Sequence, residues 1–262
     1  MVTDQTQAVY PQPRGLLGDK VVAVTAAAGT GIGFSTARRC VEEGASVVIS
    51  DIHPRRLEEA RQALHAETGA SVEAVLCDVT SDESVTAFVD AVVAAHGRLD
   101  VLMNNAGLGG TADLVDMTDE QWGLVLDVTL NGTFRCVRAA LRVMRDQGGG
   151  VIVNNASVLG WRAQKGQAHY AAAKAGVMAL TRCAAVEGAE FGVRVNAVAP
   201  SLAMHPFLAK VTTDELLAEL TDREAYGRAA EPWEVANVMV FLASDLSSYC
   251  TGEVIPVSSQ RA

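Results

Sequence analysis

Seven short, almost wholly apolar runs recur along the chain, separated by longer stretches whose apolar residues return at helical spacing. The runs are KVVAVT (20–25), SVVISD (46–51), SVEAVLCD (71–78), LDVLMNN (99–105), GVIVNNAS (150–157), VRVNAVAP (193–200) and EVIPVS (253–258). Helical stretches begin near Gly31, Pro54, Asp82, Asp119, His169 and Glu231. Strands apolar on both sides must be covered on both sides, and their alternation with helices makes the sheet parallel. The expected fold is therefore α/β, a single Rossmann-like doubly wound parallel sheet of about seven strands with helices on both faces.

Two segments break the rhythm. Residues 1–15 are polar and contain proline, and are expected to form a flexible tail before a domain spanning 16–262. Residues 201–230 form a long connection after the sixth run, with a helical piece around Asp214 to Leu220. Such a connection, leaving the carboxyl end of a strand where open α/β sheets bind ligands, is expected to be a substrate lid.

Charge and composition exclude several classes. Asp and Glu outnumber Lys and Arg by 31 to 21, a net charge of -10 that argues against a nucleic acid partner. The five cysteines stand singly, without metal-ligand spacing, so no metal is expected. No apolar run reaches membrane-spanning length, and MVTDQTQAVYPQPRG lacks the apolar core of a signal peptide. A cytoplasmic protein without a membrane partner is expected.

The first strand runs into TAAAGTGIGFSTARRC. Glycines at 29, 31 and 33 let the backbone of Gly29, Thr30, Gly31, Ile32 and Gly33 approach a pyrophosphate at a helix N-terminus. The second strand ends at Asp51, eighteen residues past Gly33, where a carboxylate accepts both ribose hydroxyls of NAD and repels a 2′-phosphate. NAD is thus expected over NADP, although Arg55 and Arg56 follow closely. Tyr170 and Lys174 are four apart and share a helical face, whereas nothing local places Ser157 beside them.

Taken in order, the glycine turn, CDVT (77–80), LDVLMNNAG (99–107), a serine before YAAAK (170–174), and VNAVAP (195–200) resemble the short-chain dehydrogenase/reductase family. The resemblance runs from about residue 16 to the end. It implies that Asp78 and Val79 bracket an adenine and that Asn105, Ala106, Gly107 and Pro200 lie beside the cofactor. It also implies that Ser157, Tyr170 and Lys174 are the catalytic trio, the last two also touching the cofactor, and that the assembly is a homodimer or homotetramer. A tyrosine is a poor base near neutral pH unless positive charge stabilises its phenolate, which Lys174 and an oxidised nicotinamide would supply.

Four departures from that family stand out. Thr25 lies one residue early relative to Gly31 and Gly33, with Ala26 and Ala27 where threonine and glycine are usual. Thr129 occupies the place of the relay asparagine and enters as a fourth catalytic candidate; Asn131, about 200° further around a helix, does not replace it. Ser201 follows Pro200 where glycine is usual, and His205 stands where the family has a threonine. Finally, VSSQRA (257–262) lacks the family's late glycines.

The combination of TAAAGTGIG, NNASVLGWRAQ, HYAAAKAGVMALTRC and GRAAEPWEVA resembles a narrower actinobacterial branch acting in steroid C/D-ring breakdown. This implies a bulky alicyclic acyl-CoA substrate. Leu159, Trp161, Met204 and His205 would contact its rings or the cofactor, and Arg162 or Lys210 a CoA phosphate. An NADPH-dependent 3-oxoacyl thioester reductase shares the fold and chemistry. A nucleotide-binding sensor or scaffold with weak catalysis draws support from the missing relay asparagine.

Overall fold

The computed structural model describes residues 8–204 and 214–260. Its strands are β1 (Val21–Val24), β2 (Ser46–Asp51), β3 (Glu73–Leu76), β4 (Val101–Asn104), β5 (Gly150–Asn155), β6 (Val193–Pro200) and β7 (Val254–Val257). They form one sheet in the order β3-β2-β1-β4-β5-β6-β7, every pairing parallel. The helices are α1 (Ile32–Glu42), α2 (Pro54–Thr68), α3 (Asp82–His96), α4 (Asp119–Leu126), α5 (Gly132–Gln147), α6 (Ala168–Ala189), α7 (Asp214–Asp222) and α8 (Pro232–Ala243).

Alternate residues of each buried strand serve different cores. Val22, Val24, Val47 and Ile49 face Leu57 and Leu64 of α2 and Val235 and Met239 of α8. Val21, Ala23 and Val48 face the other way, toward Phe88 of α3 and Val137 and Met144 of α5. This two-sided burial is why the strand runs read as continuous apolar segments. The edge strand β3 is only partly covered, which explains its Glu73.

The chain passes from β1 to β2 on one side and resumes at β4 on the other, so the crevice between β1 and β4 opens at the carboxyl ends of the strands. Both cofactor and catalytic candidates occur at this edge.

One irregularity was not expected. The helical stretch from Asp119 continues through to Gln147, but residues Asp127–Asn131 form a widened π-turn between α4 and α5. Thr129 is fully buried there, while Asn131 is exposed and its amide donates to Asp127 Oδ1 at 3.2 Å. Asn131 is thus directed away from the crevice, in line with the sequence argument.

The expected tail needs correcting from Tyr10 onward. The Tyr10 hydroxyl donates to Glu42 Oε2 at 2.7 Å, and its ring packs edge-on against Trp233 and beneath the guanidinium of Arg38. Glu43 accepts the backbone N–H groups of Arg14 and Leu16 and pairs with Arg39, itself buried. A buried carboxylate with these partners fixes residues 10–16 on the α1–α8 layer.

Candidate active site

The glycine turn begins where β1 ends. Gly31 caps α1, whose first turn carries no acidic side chain, leaving its N–H groups and positive dipole end open to an anion. Gly33 is required sterically, because a Cβ there would lie 2.3 Å from Ala26 O and 2.5 Å from Asn105 Nδ2. Asp51, almost fully buried at the end of β2, accepts the N–H groups of Ala28 at 3.3 Å and His53 at 3.0 Å. Its carboxylate is therefore held rigidly beside the turn. Arg56 donates to Ala28 O at 3.4 Å, while Arg55 pairs with Glu59 on the solvent side.

The early position of Thr25 is absorbed by its neighbour. Ala26 takes φ +51°, a left-handed conformation rare for alanine, and the turn accommodates its extra residue there. The Thr25 hydroxyl accepts the N–H groups of Asn105 at 2.9 Å and Ala106 at 3.1 Å, pinning the end of β4 to the end of β1. Asn104 donates to Thr133 O and Asn154 Oδ1.

Asn155 was missed in the sequence. Its amide donates to Asn105 Oδ1 at 2.9 Å, and its carbonyl accepts Lys174 Nζ at 2.5 Å. Its side-chain oxygen is buried without a partner. An orphaned acceptor beside the glycine cradle, together with the fixed Asp51 carboxylate, fits a bound dinucleotide carrying hydrogen-bond donors. Asp78 and Val79 lie across the crevice; Asp78 Oδ1 accepts Thr80 N–H and hydroxyl, and Arg135 holds the Val79 carbonyl at 3.1 Å.

The fold brings Ser157, Tyr170 and Lys174 together. Ser157 leaves β5 and caps a short 3₁₀ turn, Val158–Gly160, by accepting Leu159 N–H at 3.2 Å. Tyr170 and Lys174 occupy the first turns of α6, with Nζ 5.5 Å from the phenol ring centroid. The turn after β4 lies against Lys174 and Tyr170: a Cβ on Gly107 would lie 3.3 Å from Lys174 Nζ, and one on Gly109 3.7 Å from the Tyr170 ring. Pro200 ends β6 at the same edge.

Electrostatics refine the expected mechanism. Burial pushes the Tyr170 phenol up to about 12, opposed by its hydrogen bond with Ser157. Burial lowers the Lys174 ammonium to about 8. Lys174 therefore does not by itself make the tyrosine a ready base, which leaves the second positive charge of the sequence argument necessary. Its charge is directed at the Asn155 carbonyl, and phenolate formation requires the additional positive charge of a bound oxidised cofactor.

Thr129, the fourth catalytic candidate, is bonded to the loop after β4. Its hydroxyl accepts Leu108 N–H at 2.9 Å and donates to Leu108 O at 3.0 Å. These bonds consume its proton and make it a clamp on the loop that covers Lys174. Among the substrate candidates, Leu159 and Met204 are half-buried, whereas Trp161 and Arg162 are exposed. His205 and Lys210 lie outside the described residues.

An α/β sheet with a dinucleotide cradle at its switch point and a serine–tyrosine–lysine cluster beside it defines a hydride-transfer enzyme. The chain belongs to the short-chain dehydrogenase/reductase family and is an oxidoreductase: residues 26–259 match a family within it described as Enoyl-(Acyl carrier protein) reductase. It is similar, at 65% identity over 94% of this chain and 95% of the other, to the (5R,7aS)-5-hydroxy-7a-methyl-1-oxo-2,3,5,6,7,7a-hexahydro-1H-indene-carboxyl-CoA reductase of Mycobacterium tuberculosis. It is 42% identical to a cis-4-hydroxycyclohexanecarboxylate dehydrogenase of Sinomonas cyclohexanicum, over 90% of this chain and 94% of the other. A short chain dehydrogenase from Mycobacterium smegmatis has a similar solved structure, with TM-score 0.87 and 60% identity, covering 99% of this chain and all of that one.

Proposed function

We propose that this enzyme transfers hydride between NAD and a ring hydroxyl or ketone on a bulky alicyclic acyl-CoA of steroid ring degradation. The observation carrying the chemistry is the convergence of Ser157, Tyr170 and Lys174 under the Gly107–Gly109 turn. Support for the substrate comes from the 65% identical relative, whose name specifies a bicyclic carboxyl-CoA.

When bound, the nicotinamide supplies the hydride acceptor and, in its oxidised form, a positive charge. The Ser157 hydroxyl orients the substrate oxygen. Tyr170 takes the hydroxyl proton as the carbon–hydrogen bond breaks, or returns it to a ketone oxygen in reduction. Lys174 and Asn155 hold the turn and the base in one arrangement, and Thr129 keeps Leu108 folded over them. Asp51 selects a free ribose hydroxyl, and hence NAD, by repelling a 2′-phosphate.

The described parts of the connection after β6, residues 201–204 and 214–230, would border the substrate, with Leu159, Trp161 and Met204 against its rings and Arg162 near the CoA phosphates. Among the described residues, no helix is long and apolar enough to cross a membrane. We assign the working unit as a homodimer or homotetramer in the cytoplasm.

The deciding test presents the purified enzyme with the hydroxy-hydrindanone carboxyl-CoA and with linear 3-hydroxyacyl-CoA, each with NAD and NADP, while following nicotinamide absorbance. Preference for the bicyclic ester with NAD is expected. Equal or better turnover of the linear ester with NADP would replace this reading by the 3-oxoacyl thioester reductase.

A further inference from the structure

The segment after β7, where VSSQRA departs from the family's glycines, has no part in the chemistry above. In the structure its Ser259 and Gln260 border the cleft beside the exit of β6. Glu224, 1% exposed, follows α7 by two residues. Its Oε1 accepts Leu202 N–H at 3.4 Å, two residues past the end of β6. Its Oε2 accepts both the N–H and the hydroxyl of Ser259, at 3.2 and 2.9 Å. Ala225 N–H in turn donates to Ser259 O at 2.5 Å, and Glu224 pairs with Gln260 as an antiparallel bridge.

Gln260 reaches the opposite wall. Its side-chain oxygen accepts a guanidinium N–H of Arg162, in the loop joining the Ser157 turn to α6. Ser259 and Gln260 therefore tie together the exit of β6, the end of the long connection and the loop bearing Trp161 and Arg162. A glycine at 259 would supply no hydroxyl to the buried carboxylate, and a glycine at 260 no acceptor for Arg162.

We propose that Ser259 and Gln260, gathered by Glu224, form a clasp that sets the separation of the two cleft walls and so selects bulky ring substrates. They are positioning residues, acting through Leu202 and Arg162. The two halves of the clasp differ physically. Glu224 is a buried acceptor that is left unpaired when its donors are lost, whereas the Gln260–Arg162 bond is exposed and its loss leaves no buried group unpaired. Loss of the exposed half should alter substrate choice while sparing the fold.

The clasp's choice of substrate rests on the acyl-CoA reading above; its geometry does not. The test uses Gln260→Ala, Gln260→Glu and Ser259→Gly in the full chain. Kinetics are measured with the bicyclic CoA ester and with cyclohexanol as a small secondary alcohol, and amide hydrogen exchange is followed without substrate. For Gln260→Ala, KM for the CoA ester should rise about 5–10-fold, the loss of one charge-assisted hydrogen bond, with kcat and the cyclohexanol rates within about twofold. Exchange should quicken at residues 161–167, and Gln260→Glu, which keeps an acceptor for Arg162, should restore both. Ser259→Gly should quicken exchange at 201–204 as well.

Unchanged exchange, or equal losses on both alcohols, would overturn the clasp. If the wild type ignores the bicyclic ester, the substrate reading fails, and the exchange data still decide whether the clasp exists.

Discussion

Asn155 touches Lys174 and the cofactor turn at once: its carbonyl accepts Nζ at 2.5 Å while its amide donates to Asn105 at 2.9 Å. The lysine is thereby held by backbone, and the turn by side chain, of one residue. Asn155→Ala leaves the first contact and removes the second. We expect a fall in kcat/KM of about tenfold, the worth of one buried hydrogen bond, with the fold intact. Steady-state kinetics and circular dichroism decide; wild-type kinetics would mean that the link has no catalytic consequence.

Tyr170→Phe removes the proton acceptor without removing the ring that packs against Gly109. Turnover should drop by at least ~100-fold, a general acid/base magnitude, while NAD binding by calorimetry stays within a few-fold. Near-normal turnover would sink the mechanism.

Lys174 should titrate near pH 8 in the cofactor-free protein, visible by NMR of labelled lysine side chains. The sign of its effect on stability follows from burial disfavouring the charged form. Below about pH 8 the ammonium is charged both folded and unfolded, and folding carries the full desolvation penalty. Between about 8 and 10.5 the folded protein is neutral while the unfolded chain is still charged, and the penalty shrinks. Lys174→Met should therefore stabilise the protein by up to about 3 kcal/mol at pH 7, a gain that fades by pH 10.5. A pH-independent difference in denaturant unfolding would contradict this.

Thr129→Val keeps the volume and loses both bonds to Leu108 in a fully buried position. Two backbone groups lose their partner, so stability should fall by about 1–3 kcal/mol and turnover with it. A variant of unchanged melting temperature would show that Leu108 finds another partner.

Asp51→Ala should weaken NAD more than NADP, because a carboxylate there would accept from free ribose hydroxyls and repel a 2′-phosphate. Parallel fluorescence titrations measure both; equal losses would remove the basis for assigning NAD.

Much of this was readable from residue order alone. A strand buried on both faces must be apolar throughout, and a tyrosine four residues before a lysine on a helix must share its face. Asn155 was hidden because its importance arises from sheet register: β4 and β5 pair Asn104 with Asn154, which puts the next residue of each strand side by side. That is a relationship between segments fifty residues apart, without a local pattern. The Thr25 bonds were obscured by an offset of one residue that Ala26 absorbs in a left-handed turn. Tyr10 read as tail because its partners, Glu42 and Trp233, are brought to it only by α1 packing on α8.

The π-turn at Asp127–Asn131 carries a further consequence. An inserted residue in a helix rotates everything beyond it by about 100°, so this turn sets the angular phase of α5 relative to α4. Gly132, immediately after it, faces Val79 so closely that a Cβ would lie 2.8 Å from Cγ2. Deleting a single residue between 127 and 131 would restore a regular helix and bring a side chain to that contact, swinging Thr129 off Leu108. The irregularity thus works as a gear tooth between the Val79 side of the crevice and the catalytic side, keeping the two in step.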